Sequence, residues 1–316
     1  MTEIDTIATT TPSGSATVCH AVGTSFTLHD DGVPLLTYTY ARDVADFECP
    51  APYFHPIRTP AGRVVSAHRP HDHRWHKGLA MTISHLSGQN FWGGNTYVPG
   101  APGHGYVALD TVGRLRHDAF DAFELDNGAL SFRERITWLS SEGEAWIRES
   151  RSVRVCPVEV EHAAYIIEFG TELTNTRGQA LEIGSPTTFG RPDAGYSGFF
   201  WRGPRDMTGG TILAAGGLEG PEIMGKSAEW LAYTAVHDEV DASSTLIFEQ
   251  HQGNPDAPAP WFVRNDQFPA VNPSLAFHTE SVLEDGDTLA RRYRVVVADG
   301  QWTGDAVAAY LGEHPW

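Results

Sequence analysis

The sequence lacks the features that mark secreted, membrane-spanning or zinc-thiolate proteins. Its three cysteines, Cys19, Cys49 and Cys156, are far apart and form no CxxC pair. This count argues against a disulfide framework or a thiolate zinc site and favours a reducing, cytoplasmic setting. No basic segment followed by an apolar one predicts a signal peptide. No apolar run reaches the roughly 18 residues that a membrane span needs.

Cations are scarce as well. The 316 residues include 22 Lys and Arg against 40 Asp and Glu, which gives a net charge of -18. Such an acidic chain is a poor partner for nucleic acid or for an anionic membrane, because both carry negative charge. A local basic patch for a small polar ligand is compatible with this balance. The sequence does not determine the oligomeric state.

Several catalytic motifs are missing. The sequence contains no HExxH, no Walker loop, no EF-hand pattern and no GxGxxG after a strand. The segment GYSGF at 195–199 lacks the glycine that would complete a nucleophile elbow. These absences exclude the usual zinc proteases, nucleotide-binding enzymes and serine hydrolases of the α/β type.

Most of the chain consists of β-type runs separated by turn signals. One short helix is predicted near the end, with Thr303 as its N-cap. The spacing predicts an all-β fold: one large antiparallel β-sandwich over residues 15–316, a flexible tail over 1–14, and a meander in the middle of the chain. The predicted strands are 16–28, 34–40, 79–85, 106–114, 119–125, 129–139, 144–155, 159–174, 230–237 and 245–251, with a hairpin of 274–283 and 288–298.

The segment 52–79 is the main site signal. It holds five of the fifteen histidines within 22 residues, and prolines at 52, 56, 60 and 70 make it mostly loop. Such imidazoles either ligate a divalent metal or move protons near neutral pH. The five histidines are His55, His68, His71, His73 and His76.

Charged residues on otherwise apolar strand faces form a second signal. Glu134 falls on the apolar face of 129–139, and Glu149 and Arg151 share a face with Ile147 and Val153. A charge on such a face is costly unless it is paired or lies in a cleft. The pattern leaves two interpretations open, a buried ion pair or a functional site.

Aromatic and cationic residues alternate in three further segments, NFWGGN, GYSGFFWRG and HQGNPDAPAPWFVR. Aromatic rings can stack on the C–H faces of sugars, and Arg, Asn and His can bind hydroxyl groups, so this mixture suits a polar ring-shaped ligand in a cleft. The candidate ligand-binding residues here are Trp92, Tyr196, Arg202, His251, Trp261 and Arg264.

The run PYFHP, TPAG and DHxxHKGL, followed by NFWGG, resembles the PmoA-like family, whose "methane oxygenase PmoA" label does not fit a chain without an apolar span. Lys77 stands where many members carry Arg. The resemblance implies a β-sandwich of the galactose-mutarotase-like supersandwich kind and a setting in carbohydrate catabolism. It maps onto His55, Pro56, Asp72, His73, His76, Gly78 and Leu79.

These observations predict a carbohydrate-active enzyme of epimerase, lyase or hydrolase type, working by His/Glu acid-base chemistry on a sugar or oxidised sugar derivative. His73 or His76 is the predicted acid or base, and Glu149, with Glu134 as second choice, is its predicted partner. Lys77 and Arg202 would stabilise an oxyanion. The full predicted set is catalytic His73, His76, Glu149, Lys77 and Asp72, and substrate-binding His55, Arg58, Trp92, Tyr196, Arg202, His251, Trp261 and Arg264.

Two alternatives remain open from the sequence. One is a metal-dependent enzyme in which His55, His73 and His76 hold a divalent ion. The other is a carbohydrate-binding protein without catalysis. In each case the expected partner is a small-molecule carbohydrate.

Overall fold

The computed structural model describes residues 4–11, 14–102, 104–238 and 240–316. Nearly all regular structure in these residues is β. The strands in chain order are β1 (Ile4–Thr11), β2 (Gly14–Ala21), β3 (Ser25–Asp30), β4 (Val33–Thr39), β5 (Tyr53–Ile57), β6 (Leu79–Leu86), β7 (Gln89–Phe91), β8 (Thr96–Tyr97), β9 (Tyr106–Val107), β10 (Arg114–Asp126), β11 (Ala129–Leu139), β12 (Ala145–Val155), β13 (Ala164–Asn175), β14 (Leu181–Gly184), β15 (Ser197–Arg202), β16 (Thr211–Ala214), β17 (Leu218–Glu219), β18 (Trp230–Val236), β19 (Ser243–Gln250), β20 (Trp261–Arg264), β21 (Ala270–Pro273), β22 (Ser281–Leu283) and β23 (Thr288–Asp299).

Two large antiparallel sheets contain most of these strands. The twelve-stranded sheet runs β1-β2-β3-β4-β5-β6-β15-β21-β20, with β7, β14 and β22 attached beside that path. The nine-stranded sheet runs β10-β11-β12-β13-β23-β19-β18-β16-β17. The predicted meander is confirmed, because β10 to β13 pair in sequence order.

The two sheets pack face to face through one apolar core. Phe169 of β13 stacks on Phe199 of β15 with ring centroids 4.4 Å apart. Trp201 of β15 lies 5.3 Å from the ring of Tyr233 and 5.5 Å from that of Phe248, both on the opposite sheet. Alternating residues of strands such as β11 (Leu130, Phe132, Ile136 and Trp138) enter this core, as the sequence pattern predicted. The all-β antiparallel sandwich is confirmed.

A polar network crosses this interior and accounts for the charged residues on the strand faces. Arg151 Nε donates to Glu149 Oε1 at 2.8 Å, and its Nη1 donates to the Tyr38 hydroxyl at 2.9 Å. Tyr38 in turn donates to Glu134, which also pairs with His117. Glu149 accepts further from Trp138 Nε1. Of the two interpretations that the sequence left open, the structure therefore shows the buried ion pair.

One α-helix, α1 (Gly304–Glu313), occurs in the described part of the chain. Thr303 Oγ1 accepts a hydrogen bond from the Ala306 amide at 3.2 Å, so the predicted N-cap is confirmed. Val307 and Tyr310 pack against the outer face of the nine-stranded sheet. Among the described residues no helix is both long and apolar enough to cross a membrane.

Some local predictions differ from the structure. The predicted hairpin of 274–283 and 288–298 is wrong, because β22 pairs with β14 in one sheet while β23 pairs with β13 and β19 in the other. The turn between them carries the chain across the sandwich. A local pattern cannot distinguish such a crossing from a hairpin, because both need the same turn residues.

Three shorter stretches also differ. The run 16–28 is interrupted by a turn at 22–24, where Gly23 has a φ of 83°. The run 106–114 contains only the two-residue β9 and the first residue of β10. Residues 4–11, predicted to belong to a flexible tail, form β1 and pair with β2. Gly14 begins β2, and residues 1–3 and 12–13 of the predicted tail lie outside the described residues.

Candidate functional site

A cavity of about 250 Å³ lies on the outer face of the twelve-stranded sheet. In β6 the residues Leu79, Met81 and Ile83 enter the core between the sheets, so Ser84 points to the opposite face and lines the cavity. The remaining walls come from the β5–β6, β7–β8 and β20–β21 loops and from residues 186–196. The sandwich thus holds the sheet rigid, and the loops that cover its outer face form the site.

Two histidines of the β5–β6 loop lie side by side in the wall. The ring centroids of His73 and His76 are 4.8 Å apart. His76 is buried, with Phe200, Phe268 and Trp92 around its ring, and its Nδ1 has no hydrogen-bond partner among the described residues. Burial lowers the pKa of both imidazoles, that of His76 well below its usual 6.5. Both rings are therefore neutral near pH 7, so each carries one nitrogen that can act as an acceptor.

Asp72 holds His73 from outside the cavity. Its Oδ2 lies 3.4 Å from His73 Nδ1, and its Oδ1 accepts from Arg205 Nη2 at 2.7 Å. Burial is the largest single influence and raises the pKa of Asp72, but the hydrogen bond from Arg205, a backbone hydrogen bond and the nearby positive charges together outweigh it, and the pKa falls to about 2. The ionised carboxylate favours the tautomer with the proton on Nδ1, which leaves Nε2 of His73 as the basic atom.

The β7–β8 loop with the sequence NFWGGN is fixed by Asn90. Its Oδ1 accepts from the amides of Trp92 at 2.8 Å and Gly93 at 2.9 Å, and its Nδ2 donates to Thr96 Oγ1 at 3.1 Å. Gly93 has a φ of 95°, and a Cβ there would come within 2.7 Å of the Trp75 side chain. The glycine therefore lets Trp75 close over the loop and line the cavity beside Trp92.

The far wall carries a cation among aromatic rings. Arg191 donates a hydrogen bond to the Tyr106 hydroxyl, and its guanidinium lies 5.0 Å from the Tyr106 ring centroid and 5.8 Å from that of Tyr196. His85 lies nearby, with its Nε2 3.2 Å from the Tyr97 carbonyl. Among the described residues that line the cavity there is no Asp, Glu or Lys.

The structure brings a part of the predicted set together. His73, His76, Trp92 and Tyr196 all line the cavity, and Asp72 touches it through His73. These residues come from the histidine-rich segment and from two of the three aromatic segments. Their convergence is a property of the fold, because the sequence separates them by up to 124 positions (196 minus 72).

Other predicted site residues lie elsewhere. Glu149 and Glu134 are inside the sandwich, where the polar network satisfies them, so the prediction that they face the histidines is corrected. Lys77 is buried and donates to the carbonyls of Glu48 and Trp75. It supports the loop from behind and does not line the cavity.

The predicted metal set is also corrected. His55 packs beside His68 with ring centroids 5.3 Å apart, and its Nδ1 lies 2.9 Å from Ser66 Oγ. It does not join His73 and His76 in the wall of the cavity. In the part of the chain that the structure describes, no group of three or more His, Cys, Asp or Glu residues is placed to hold a metal ion.

The remaining predicted ligand-binding residues take structural positions. Trp261 is fully buried in the core and donates to the Ala228 carbonyl. His251 pairs with Arg292 on another face, and Arg58 donates to the Gly62 carbonyl. Arg264 contacts Phe262 outside the cavity lining. His251, Arg58 and Arg264 are therefore absent from the lining of the cavity.

Arg202 is buried directly behind the cavity wall. It is fully inaccessible to solvent, and its guanidinium lies 4.2 Å from the centroid of Phe268, which does line the cavity. Its Nη1 donates to the Gly203 carbonyl at 2.8 Å, whereas Nε and Nη2 have no partner among the described residues.

Sequence reasoning missed several lining residues, namely Trp75, His85, Tyr97, Tyr106, Arg191 and Gln267. Arg191 stands at the start of the irregular segment RPDAGYSGFFWRG, and Tyr97 follows NFWGGN by two residues. Their position inside glycine-rich loops was the available signal. His85 lies in a run that reads simply as a strand, so nothing local marked it.

Comparison with known proteins identifies one matching family, described as "Family of unknown function (DUF6807)", over residues 25–312. This finding corrects the predicted relation to the PmoA-like family. No curated protein matches the sequence.

Solved structures of similar shape include sugar-processing enzymes. An alpha-galactosidase from Lactobacillus brevis is 8% identical with a TM-score of 0.41, over 98% of this chain and 41% of that one. An alpha-galactosidase from Geobacillus stearothermophilus is 11% identical with a TM-score of 0.36, over 96% and 41%. A galactose 1-epimerase from Lactobacillus acidophilus is 6% identical with a TM-score of 0.34, over 95% and 100%.

The chain thus spans about 41% of the length of the galactosidases that it matches. At these identities and TM-scores, the similarities carry no statement about activity. The chemistry has to be argued from the cavity itself.

Proposed function

The chain belongs to the DUF6807 family, and from the cavity of this member we propose an enzyme that moves a proton on a small carbohydrate. The observation that carries the proposal is the pair of neutral imidazoles, His73 and His76, in the wall of a small aromatic cavity. A buried imidazole nitrogen without a hydrogen-bond partner, such as His76 Nδ1, is costly unless a ligand completes it. A ligand hydroxyl or carbonyl supplies that partner.

The size and lining of the cavity favour a single sugar ring. About 250 Å³ is slightly below the range of roughly 300–1,000 Å³ that drug-sized ligands occupy. Trp75, Trp92 and Tyr196 offer flat apolar surfaces, and Ser84, Asn95 and Gln267 offer hydrogen bonds. Such a mixture suits a ring with one apolar face and several hydroxyl groups.

His73 is the best placed base. Asp72 favours the proton on Nδ1, so Nε2 can take a proton from a carbon next to a carbonyl group. The electron pair of the broken C–H bond moves into an enolate, whose oxygen a hydrogen-bond donor of the lining, such as the Gln267 amide, can stabilise. The proton then returns to the opposite face of the same carbon, or to the adjacent carbon while the hydroxyl proton shifts to the enolate oxygen, so the step needs no further reactant. The overall reaction is an epimerisation or isomerisation.

Hydrolysis of a glycosidic bond is less well supported. Glycoside hydrolases generally use two carboxylates that flank the scissile bond. The described residues that line the cavity include no carboxylate, and Glu134 and Glu149 are inside the sandwich. Of the predicted reaction types, proton transfer next to a carbonyl fits best. We also propose a cytoplasmic setting, which the three free cysteines support.

The test is solvent deuterium exchange. Monosaccharides are incubated with the protein in D₂O, and ¹H NMR follows the signal of the C–H next to the carbonyl group. The wild-type protein is expected to exchange this proton on its substrate, and His73→Gln to lose at least 100-fold in the exchange rate.

His71→Gln is the matched control, because His71 is exposed in the same loop and does not line the cavity. It should exchange at the wild-type rate. Equal exchange by His73→Gln and wild type would refute His73 as the base. Binding of a sugar without exchange or product would instead identify a carbohydrate-binding protein.

A further inference from the structure

The cavity is cationic although the protein is strongly acidic. The whole chain carries 40 acidic and 22 basic residues, yet the described lining contains one permanent charge, that of Arg191. Two carboxylates close to the histidine loop are already neutralised. Glu48 pairs with Arg69 at 2.7 Å, and Asp72 pairs with Arg205 at 2.7 Å.

Arg191 is half-buried and has no carboxylate partner within 4 Å among the described residues. The hydroxyl of Tyr106 and the rings of Tyr106 and Tyr196 hold its guanidinium plane in the wall. The Arg191 amide donates to the Pro186 carbonyl at 2.9 Å, which fixes the loop. A planar guanidinium held in this way is ready to bind a carboxylate through two parallel hydrogen bonds.

Arg202 adds a second uncompensated cation behind the opposite wall. It is fully buried, and two of its three guanidinium nitrogens are unpartnered in the described structure. One phenyl ring, that of Phe268, touches Arg202, His73 and His76 with distances of 4.2, 5.2 and 5.6 Å. A buried cation without a counter-ion is costly in a protein, and a bound anion nearby would offset this cost.

We infer that the ligand of this cavity is a sugar acid, whose carboxylate pairs with Arg191 while its ring stacks on the aromatic wall. This inference rests on the proposed function and specifies its substrate class. A carboxylate is favoured over a phosphate because the lining carries one permanent positive charge, which balances a monoanionic carboxylate but not a phosphate dianion. Helix N-termini commonly bind phosphate, but the one described α-helix packs on the other sheet, away from the cavity.

The experiment compares matched pairs of ligands, glucuronate with glucose and galacturonate with galactose, by isothermal titration calorimetry. The acid of at least one pair should bind at least tenfold more tightly than its neutral sugar. Its affinity should fall as salt rises from 20 to 500 mM, because ions screen a partly exposed pair. The corresponding hexose phosphates should show no such gain in affinity over the neutral sugars.

Arg191→Gln should remove the preference for the sugar acid, so that acid and neutral sugar bind with equal affinity. Arg191→Lys should keep part of this preference. Arg177→Gln is the matched control. Arg177 also stacks on an aromatic ring, with its guanidinium 3.7 Å from that of Trp146, but it lies outside the cavity. Thermal unfolding of each variant shows that loss of preference is not loss of fold.

The two proposals fail in different ways. Equal affinity for acid and neutral sugar, with exchange of a C–H proton on the neutral one, would refute the sugar acid and leave the proton transfer intact. Tight binding of the acid without any exchange of a C–H proton would support the sugar acid and refute the proton transfer. A preference for the acid that survives in Arg191→Gln would refute the assignment of Arg191.

Discussion

At the scale of single residues, burial decides what each histidine of the segment 52–79 can do. His71 is exposed, His73 is half-buried in a cavity wall, and His76 is enclosed by aromatic rings. His55 and His68 form a separate pair beside Tyr53. Equivalent residues in the sequence therefore have different proton affinities in the fold, and a change of pH tests this difference.

His55 should make the protein sensitive to acid. Burial, with help from Arg58 and Arg42, lowers its pKa to about 4, and His68 is the other titratable group facing it. An unfolded histidine has a pKa of about 6.5. Between these values the unfolded chain binds a proton and the native chain does not, so stability rises with pH across the window and is lost on acidification.

Urea unfolding at pH 6.5 and pH 4.5 measures this effect. Replacing His55 by Gln should reduce the difference in unfolding free energy between the two pH values by about 2 kcal/mol, since one pKa unit is worth about 1.4 kcal/mol. His71→Gln should leave that difference unchanged. An unaltered difference in His55→Gln would show that His55 is not held neutral by the fold.

At the scale of elements, the strands β4, β11 and β12 are joined by the polar network in the interior. Arg151 and Glu149 lie on one strand, Glu134 on the next, and Tyr38 on the opposite sheet. Such a network fixes the register of the strands, because a shift of one residue would break the hydrogen bonds that join Arg151 and Glu134 to Tyr38. The network is buried and therefore has a structural role.

Glu149→Gln should therefore destabilise the protein strongly. Arg151 would lose its carboxylate while remaining buried, which typically costs about 3–5 kcal/mol. Glu172→Gln, an exposed change on the neighbouring strand β13, is the control and should stay within about 0.5 kcal/mol of wild type. Loss of proton exchange with full stability in Glu149→Gln would restore this residue as a catalytic candidate.

The cap of the C-terminal helix gives a second prediction at this scale. Thr303→Ala removes the acceptor of the Ala306 amide and should cost about 1 kcal/mol, whereas Thr303→Ser keeps the acceptor and should cost little. Denaturant midpoints of the two variants provide the comparison. Equal midpoints for Ala and Ser would mean that the packing of Val307 and Tyr310 alone determines the helix.

At the scale of the whole molecule, one apolar core connects the two sheets. It includes Phe26 and Met81 from the twelve-stranded sheet and Phe132 and Val295 from the nine-stranded one. Neither sheet can expose its inner face to water without losing this burial. The predicted single domain over 15–316 rests on the same argument.

The sandwich should consequently unfold in one step. Far-UV circular dichroism and tryptophan fluorescence should give coincident transitions in urea. The nine tryptophans, which lie in both sheets and in the loops, report on the entire fold. Two separated transitions would show that the sheets unfold independently and would divide the chain into two domains.

The sequence by itself determined the β class, the meander of β10 to β13, the helix cap and the concentration of histidines in one loop. These features depend on local alternation, turn residues and spacing, which contacts between neighbours in the chain enforce. The sequence also showed that Glu134, Glu149 and Arg151 share strand faces with apolar residues. It could not show whether those faces meet another sheet or a ligand.

The tertiary structure alone decided whether those strand faces meet another sheet or a ligand. It also decided which residues line the cavity. It placed Glu149 in the interior, separated His55 from His76, and brought Arg191 and His85 to the cavity that His73 also lines. The physical reason is that both faces of a strand in a sandwich can be buried, one by the opposite sheet and one by loops. Which residue reaches which side depends on pairings between distant segments, and no local pattern encodes them.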